Sequence, residues 1–155
     1  MAGIADSLIV RAAGDADLPV LTVLLAQLRE PGTEAPTPSE AAALLARIQG
    51  STHHRIYVAE TVGAVVGAYA LLIMDSLAHP RRPAAVVEDL VVDVSCRGQG
   101  IGRRLIEDAL ARAAARGCYK LALSSNLRRD AAHRFYERLG FERHGYSFAV
   151  FLERG

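Results

Sequence analysis

Three glycines alternate with other residues at positions 97–102, between an apolar run and a segment with helical spacing. Where a strand leads through such a turn into a helix, unpaired backbone N–H groups and the positive end of the helix dipole converge on one point. Glycine leaves the backbone bare, so a phosphate group can approach those N–H groups directly. The spacing therefore predicts an anion site, and a plain glycine-rich connection between strand and helix is the alternative.

Two common nucleotide-binding motifs do not fit this turn. A P-loop ends in Gly-Lys-Ser/Thr, whereas Arg103 and Arg104 follow the glycines here. A dinucleotide-binding fingerprint needs glycine at position 103 and an early βαβ unit, but this turn comes after three or four predicted strands and two predicted helices. Both motifs are therefore disfavoured.

The elements that must position the turn are predicted from hydrophobic periodicity and capping residues. Strands are expected at 7–13, 55–60, 64–75, 85–94, 119–125 and 146–153, and helices at 15–30, 38–49, 100–116 and 130–139. Thr37, Pro38 and Glu40 form a predicted capping box at the start of the second helix. The order β-α-α-β-β-β-α-β-α-β predicts one α/β domain over residues 1–155, with helices on both faces of a mixed sheet.

The composition excludes several classes of partner. Eighteen basic residues balance seventeen acidic ones, and the net charge of +1 gives no general field that would attract nucleic acid or a membrane surface. The two cysteines form neither a disulfide framework nor a metal-ligand spacing, and His53, His54 and His79 lack partners at ligand spacing, so no metal site is predicted. Neither a leader nor a membrane span is recognised in the sequence, and a cytoplasmic protein is expected.

The segment RGQGIG at 97–102 resembles the signature of the GCN5-related N-acetyltransferase (GNAT) superfamily, which binds the pyrophosphate of acetyl-coenzyme A. The preceding EDLVVDVSC is similar to the family's splayed central strand, and the following RDAAHRFYERLGFE is similar to the family's next helix. The matched blocks run from about Ile56 to Phe151. The resemblance implies a single GNAT-type domain of the α/β (α+β) class, with a mixed sheet of six to seven strands, splayed at the cofactor site, and about four helices.

The same resemblance makes acetyl-coenzyme A the expected co-substrate. The backbone of Leu90 and Val92 should pair with the pantetheine arm where the sheet splays after residue 92, and the backbone N–H near Val92 is the expected oxyanion donor. Arg129 stands where many members have asparagine, and a solvated basic run is the alternative for this loop. The implied cofactor-binding residues are Leu90, Val91, Val92, Arg97, Gly98, Gln99, Gly100, Ile101, Gly102, Arg103, Asn126, Arg129 and His133.

The implied reaction is attack of a primary amine on a thioester. An amine with a pKa near 10 is neutral in about one molecule in a thousand at pH 7, so its deprotonation costs about 4 kcal/mol unless a base assists. Glu88 shares strand parity with Leu90 and Val92, which predicts a side chain on the same face near the thioester. Glu88 is the first candidate base, acting through water, and Asp89 is the second. A structural carboxylate paired with an arginine is the alternative.

Tyr136 lies on the helix that resembles the one carrying the family's general acid. The unperturbed pKa values, about 10 for tyrosine and about 8.5 for a thiol, make full proton transfer to the leaving thiolate uphill by about 2 kcal/mol. Tyr136 is therefore expected to stabilise the thiolate by a hydrogen bond. A core tyrosine beside Phe135 is the alternative.

The resemblance implies an N-acetyltransferase that acts by direct attack of a small-molecule primary amine in a ternary complex. The C-terminal segment resembles small-molecule amine acetyltransferases, the aminoalkylphosphonate type among them, and Arg81, Arg82, Arg143 and His144 are candidates to meet an anionic acceptor. Acetylation of a protein or peptide amine and a catalytically idle acyl-coenzyme A sensing domain are the alternatives. A homodimer formed through the last strands is compatible with this fold.

Overall fold

The computed structural model describes residues 7–152, which form two compact units with the boundary between Leu123 and Ser124. The first unit contains the strands β1 (Ile9–Ala12), β2 (His54–Thr61), β3 (Ala64–Met74), β4 (Ala84–Val92) and β5 (Lys120–Leu123), and the helices α1 (Leu18–Ala26), α2 (Pro38–Gln49) and α3 (Ile101–Ala115). The second unit contains the helix α4 (Asp130–Arg138). That residues 1–155 form one domain stays a prediction.

The second helix shows how local sequence signals fix an element. The Thr37 hydroxyl accepts a hydrogen bond from the Glu40 N–H, and the Glu40 carboxylate accepts one from the Thr37 N–H at 2.8 Å. This reciprocal pair satisfies two of the N–H groups that every helix leaves unpaired at its start. The helix therefore begins at Pro38, as predicted, and it ends at the predicted Gln49.

The five strands form one mixed sheet in the order β1-β2-β3-β4-β5. The first four strands are antiparallel neighbours, and β5 runs parallel to β4 because α3 crosses over between them. The mixed sheet is confirmed, with a strand count one below the predicted minimum.

The sixth predicted strand, at 146–153, is wrong for the residues that the structure describes. Positions 141–152 contain no strand, and Glu153 lies outside the described residues. The alternating side chains of Tyr146, Phe148 and Val150 are 81, 91 and 82% exposed. Alternation indicates that a segment has an apolar face, but a strand also needs a neighbouring backbone to pair with, which the pattern alone does not supply.

Helices cover both faces of the sheet, as predicted. Ala68 of β3 belongs to a buried cluster with residues of α1 and α2. Gly67, the preceding residue, faces the other way, where a Cβ would lie 3.1 Å from Leu105 Cδ1 of α3 and 2.9 Å from the Val91 carbonyl oxygen. The absence of a side chain at Gly67 lets α3 approach the sheet closely.

A β-bulge interrupts the pairing of β3 with β4. Ala68 pairs with Val91 and Ala70 pairs with Glu88, so two residues of β4 lie opposite the single residue Tyr69. β3 pairs without interruption with β2 through this region, which places the extra residue in β4. Asp89 has φ +52°, in the left-handed region that a bulge residue adopts.

A half-buried ion pair fixes the segment that joins β1 to α1. Arg11 donates two hydrogen bonds to Asp17, at 2.7 and 2.9 Å, and one to Glu60 at 2.7 Å. The Gly14 N–H also donates to Asp17 at 2.7 Å, and the Asp17 side chain is only 8% exposed. The hydrogen bonds from Arg11 hold the pKa of Asp17 below its ordinary value of 3.8.

Replacing Asp17 with asparagine is expected to lower the free energy of unfolding by about 2 kcal/mol at pH 7. Because the pKa of Asp17 is lowered by folding, its contribution is complete above a pH of about 5 and is lost as the pH falls through the unfolded and then the folded value. Urea denaturation at pH 7 and pH 3 should therefore show a smaller difference between variant and wild type at pH 3. The exposed neighbour gives the control, Asp15→Asn, and an equal difference at both pH values would contradict the assignment.

Candidate functional site

The glycine turn connects β4 to α3, as predicted, and its backbone takes a conformation that favours glycine. Gly98 has φ +75° and Gly100 has φ +82°, both in the left-handed region. The first hydrogen bond of α3 runs from the Arg104 N–H to the Gly100 carbonyl oxygen at 3.1 Å. The N–H groups of residues 101–103 precede that bond and point out of the helix end, which suits an anion.

The turn is open on the side of Gly98. Among the described residues, a Cβ built on Gly98 would meet no atom within 4 Å. No neighbouring atom would clash with a side chain here, so the positive φ is what favours glycine at position 98. The free space leaves room for a ligand to approach the backbone.

The side chain of Arg97 stabilises the turn by two hydrogen bonds. Its Nε donates to the Val92 carbonyl oxygen at 3.3 Å, and its Nη2 donates to Gln27 Oε1, just beyond the end of α1, at 3.0 Å. The guanidinium thus links the end of β4 to α1. In this arrangement the side chain of Arg97 stabilises the turn.

Arg103 lies in the first turn of α3, as predicted, but its side chain is paired with Glu107. Its Nε donates to Glu107 Oε1 at 2.8 Å, and Arg104 lies 3.7 Å from the other carboxylate oxygen of the same residue. The Arg103 side chain is 67% exposed, so this ion pair contributes little stability and can be exchanged for a phosphate.

The sheet opens along β4, earlier than predicted. β5 pairs with β4 only from Ala84 to Val87, so among the described residues of the first unit the last five positions of β4 lack a partner on that side. We expected the splay after residue 92, and the register corrects its start to residue 88. The cause is that β5 ends at Leu123, opposite Val87.

The backbone direction along this edge follows from one hydrogen bond. The Asp93 N–H donates to the carbonyl oxygen of Val66, a residue of β3, at 2.8 Å. The N–H and C=O groups of successive residues alternate in direction along a strand. Those of Val91 therefore also point toward β3, and those of Val92 point toward the open edge. The Val91 side chain is buried in the core. The edge groups that a ligand can reach therefore belong to Val92 and to the bulge residue Leu90.

The bulge overturns the parity argument for Glu88. One extra residue between Glu88 and Val91 places these two side chains on the same face of the sheet, whereas Leu90 and Val92 were expected to share the face of Glu88. Glu88 lies on the face that α1 and α2 cover, and its side chain is exposed next to the bulge. Both acidic residues, Glu88 and Asp89, border the open edge.

The predicted polar residues of the second unit form a compact turn before α4. The Asn126 side chain accepts a hydrogen bond from the Arg128 N–H at 2.9 Å. The Asn126 carbonyl oxygen accepts from the Arg129 N–H at 3.0 Å and from His133 Nε2 at 2.9 Å. His133 donates this bond through Nε2 because a carbonyl oxygen can only accept, and Asn126 and His133 shape this loop.

Tyr136 is half-buried in α4. Its ring makes edge contacts with Phe135 and Phe141, at centroid distances of 5.2 and 5.8 Å. Burial raises the pKa of Tyr136 above its ordinary value of 10.0, and the charge of Arg129 opposes this only in part. Tyr136 therefore keeps its proton at neutral pH and can donate a hydrogen bond.

The arginines predicted to meet an anionic acceptor have different surroundings. Arg143 donates to Glu137 at 2.6 Å, and Arg82 donates to the Cys118 carbonyl oxygen at 3.5 Å. Arg81 is exposed, in the loop before β4. That loop ends at Pro83, five residues before Glu88, which corresponds to about 17 Å along the strand.

Residues 7–152 lack two further features. The structure places no group of three or more potential metal ligands together in this part of the chain. No helix within it has the length and apolar character that crossing a bilayer requires.

Sequence reasoning missed the bulge and the contacts of Arg97. The adjacent acidic residues Glu88 and Asp89 inside an apolar strand were the available signal for the bulge, because a regular buried strand would not place two consecutive carboxylates there. The hydrogen bond from Arg97 to Gln27 joins residues 70 positions apart in the chain, and no local sequence pattern predicts it.

Comparison with known proteins identifies relatives of this chain. It is 36% identical over 90 residues to glucosamine 6-phosphate N-acetyltransferase of Trypanosoma brucei brucei, covering 58% of this chain and 59% of that protein. It is 34% identical over 102 residues to aminoalkylphosphonate N-acetyltransferase of Salmonella typhimurium, covering 66% of this chain and 64% of that protein. The chain thus spans less than two thirds of the length of these two relatives.

A solved structure supports the same relationship over nearly the whole chain. The crystal structure of an acetyltransferase of Trypanosoma brucei superposes with a TM-score of 0.80 at 32% identity, covering 94% of this chain and 99% of that chain. The sequence profile of the Acetyltransferase (GNAT) family matches residues 22–141, which include the glycine turn, the open edge of β4 and most of the second unit. The chain belongs to the Acetyltransferase (GNAT) family.

Proposed function

We propose that this protein is an acetyl-coenzyme A-dependent N-acetyltransferase that acetylates the primary amine of a small phosphate- or phosphonate-bearing molecule. One observation carries the proposal: the first unit combines a left-handed glycine turn at a helix start with an open strand edge that leads up to it. A pyrophosphate suits the turn, and an extended amide-containing arm suits the edge. Membership of the family agrees with both.

The residues present fit acetyl-coenzyme A as a co-substrate. The backbone of residues 97–102 and the first N–H groups of α3 would hold the pyrophosphate, and Arg103 would add a charge after exchanging its pairing with Glu107. The outward backbone groups of Leu90 would hold the arm, and the outward N–H of Val92 would polarise the thioester carbonyl. Asn126, Arg129 and His133, in the second unit, are the proposed further contacts of the cofactor.

The chemistry that acetyl-coenzyme A supplies is an activated acetyl group, and the chain must provide a neutral amine. At pH 7 an amine with a pKa near 10 must lose a proton at a cost of about 4 kcal/mol. Glu88 and Asp89 border the open edge, and either can receive that proton through a water molecule. The amine nitrogen then attacks the thioester carbon and loses its second proton to water, the carbon–sulfur bond breaks, and the thiolate leaves with the bonding electron pair.

Tyr136 is proposed to donate a hydrogen bond to the leaving thiolate. Its raised pKa makes complete proton transfer to a thiolate, whose conjugate thiol has a pKa of about 8.5, more uphill than for an unperturbed tyrosine. A donor that keeps its proton stabilises the negative charge that develops on sulfur through the hydrogen bond alone.

The acceptor class rests on the relatives. Glucosamine 6-phosphate and aminoalkylphosphonates, which give two of them their names, each combine a primary amine with a phosphorus oxyanion. The two molecules differ in their carbon skeletons but share these two groups. An acceptor with both groups is therefore the proposed substrate class, in preference to a protein amine.

Matched acceptor pairs test this proposal. Thiol release from acetyl-coenzyme A would be measured with glucosamine 6-phosphate against glucosamine, and with 2-aminoethylphosphonate against ethylamine. We expect kcat/KM to be at least about tenfold higher for the anionic member of a pair, since one charge-assisted contact contributes about 1.5 kcal/mol or more. Equal rates within both pairs would overturn the anionic acceptor. Binding of acetyl-coenzyme A without release by any amine would instead identify an idle sensing domain.

A further inference from the structure

A hydrogen-bonded network joins α3 to three strands of the first unit. The Tyr69 hydroxyl donates to Asp108 Oδ2 at 2.6 Å, and Arg112 Nε donates to the same oxygen at 2.7 Å. The Arg112 guanidinium lies 4.0 Å from the centroid of the Tyr57 ring, which stacks on the Tyr69 ring at 5.2 Å. Arg112 Nη2 also donates to the Val10 carbonyl oxygen at 3.4 Å.

Tyr69 occupies the one position of β3 that faces the bulge. Its neighbours Ala68 and Ala70 each pair with a residue of β4, and Tyr69 lies opposite the two bulge residues. Its side chain is 1% exposed, so neighbouring residues enclose the ring and the hydroxyl cannot turn to solvent. The buried Tyr69 hydroxyl donates to a carboxylate that also accepts from Arg112. Such a network, with its hydrogen bonds satisfied, is rigid.

The same network reaches the glycine turn through α3. Asp108 lies eight residues after Gly100, which corresponds to about 12 Å along the helix. The bulge is fixed to β3 by regular pairs on both sides, and α3 is fixed to β3 by the Tyr69–Asp108 hydrogen bond. The hydrogen bond therefore adds a directional link to the apolar packing of α3 on β3, between the turn at one end of the helix and the bulge.

We infer that Tyr69, held by Asp108 and Arg112, is a positioning residue for acetyl transfer that aligns the pyrophosphate turn with the open edge of β4. The inference rests on the proposed function for its effect on catalysis. Misplacement of reacting groups by about 1 Å can cost up to about 100-fold in rate, so a device that fixes this separation acts on kcat. The pyrophosphate turn itself stays intact without the hydroxyl, so the affinity for the cofactor depends less on it.

The test compares two phenylalanine variants of the same cluster. Tyr69→Phe removes the hydroxyl that binds Asp108, and the pairing of Asp108 with Arg112 remains. Tyr57→Phe is the matched control, because Tyr57 contributes a stacked ring to the network and keeps it in the variant. We expect Tyr69→Phe to lower kcat about tenfold with the KM for acetyl-coenzyme A within about threefold, and Tyr57→Phe to change neither by more than about twofold.

Hydrogen exchange gives a second measurement that does not need a substrate. The backbone amides of Val91 and Asp93, which point toward β3, should exchange faster in Tyr69→Phe than in Tyr57→Phe, because β3 loses its side-chain link to α3 beside the bulge. Equal exchange of these amides in the two variants would overturn the inference, as would equal kcat values in an active enzyme. If the wild type transfers no acetyl group, the proposed function fails, and the exchange measurement still decides whether Tyr69 positions the bulge.

Discussion

Replacing Tyr136 with phenylalanine is expected to lower kcat about 100-fold and to leave the affinity for acetyl-coenzyme A within about threefold. The ring contacts with Phe135 and Phe141 survive in the variant, so α4 should keep its structure. What is lost is the hydrogen bond to the leaving thiolate, which forms as charge develops on sulfur and so acts on the transition state. Steady-state thiol release and calorimetric titration of acetyl-coenzyme A measure the two quantities.

The pH dependence of this effect follows from the raised pKa of Tyr136. A tyrosine whose pKa exceeds 10 stays protonated from pH 6 to pH 9, so the ratio of wild-type to variant kcat should be constant over that range. The exposed Tyr146 gives the matched control, Tyr146→Phe, which should match the wild type. Unchanged kcat in the Tyr136 variant would show that Tyr136 is only a packing residue.

Replacing Gly100 with glutamate is expected to weaken the binding of acetyl-coenzyme A at least about 100-fold. Two effects combine at this position: the left-handed backbone at φ +82° strains any side chain, and the carboxylate repels a pyrophosphate at the helix start. Calorimetric titration measures the affinity, and circular dichroism first verifies that the variant is folded.

The other end of the same helix supplies the control for this variant. Gly117 has φ +72°, so Gly117→Glu introduces the same charge and a similar backbone strain beyond the last turn of α3. It should be destabilised to a similar degree and should still bind acetyl-coenzyme A with nearly wild-type affinity. Equal loss of binding in both variants would mean that instability, and not the turn, explains the effect.

Local signals predicted most elements of the first unit because those signals act within a few residues. The capping box fixed the start of α2, and the glycine turn marked the junction of β4 with α3. Helix α1 is shorter than the predicted 15–30, since its first turn is a 3-10 turn at Asp15–Asp17 and the helix ends at Ala26. End positions depend on a few weak hydrogen bonds, which periodicity does not resolve.

The features that sequence reasoning missed depend on contacts between distant residues. The bulge at Asp89 reverses the side-chain parity of β4, so the argument that placed Glu88 beside Leu90 failed although the strand itself was predicted. The prediction of the final strand was wrong because apolar alternation does not indicate which neighbouring strand the segment would pair with. The site residues on the turn needed only local geometry, whereas the bonds of Tyr69 and Arg97 join segments 39 and 70 residues apart.

Thermal unfolding with two thioesters tests most directly whether the glycine turn holds the pyrophosphate of a coenzyme A thioester. The wild-type protein would be heated with acetyl-coenzyme A, and separately with acetyl-pantetheine, which has the arm and the acetyl group but no pyrophosphate. At about 100 times the dissociation constant, acetyl-coenzyme A should raise Tm by about 5 °C or more, and acetyl-pantetheine at the same concentration should leave it nearly unchanged. No shift with acetyl-coenzyme A, or equal shifts with both compounds, would contradict the assignment of the turn.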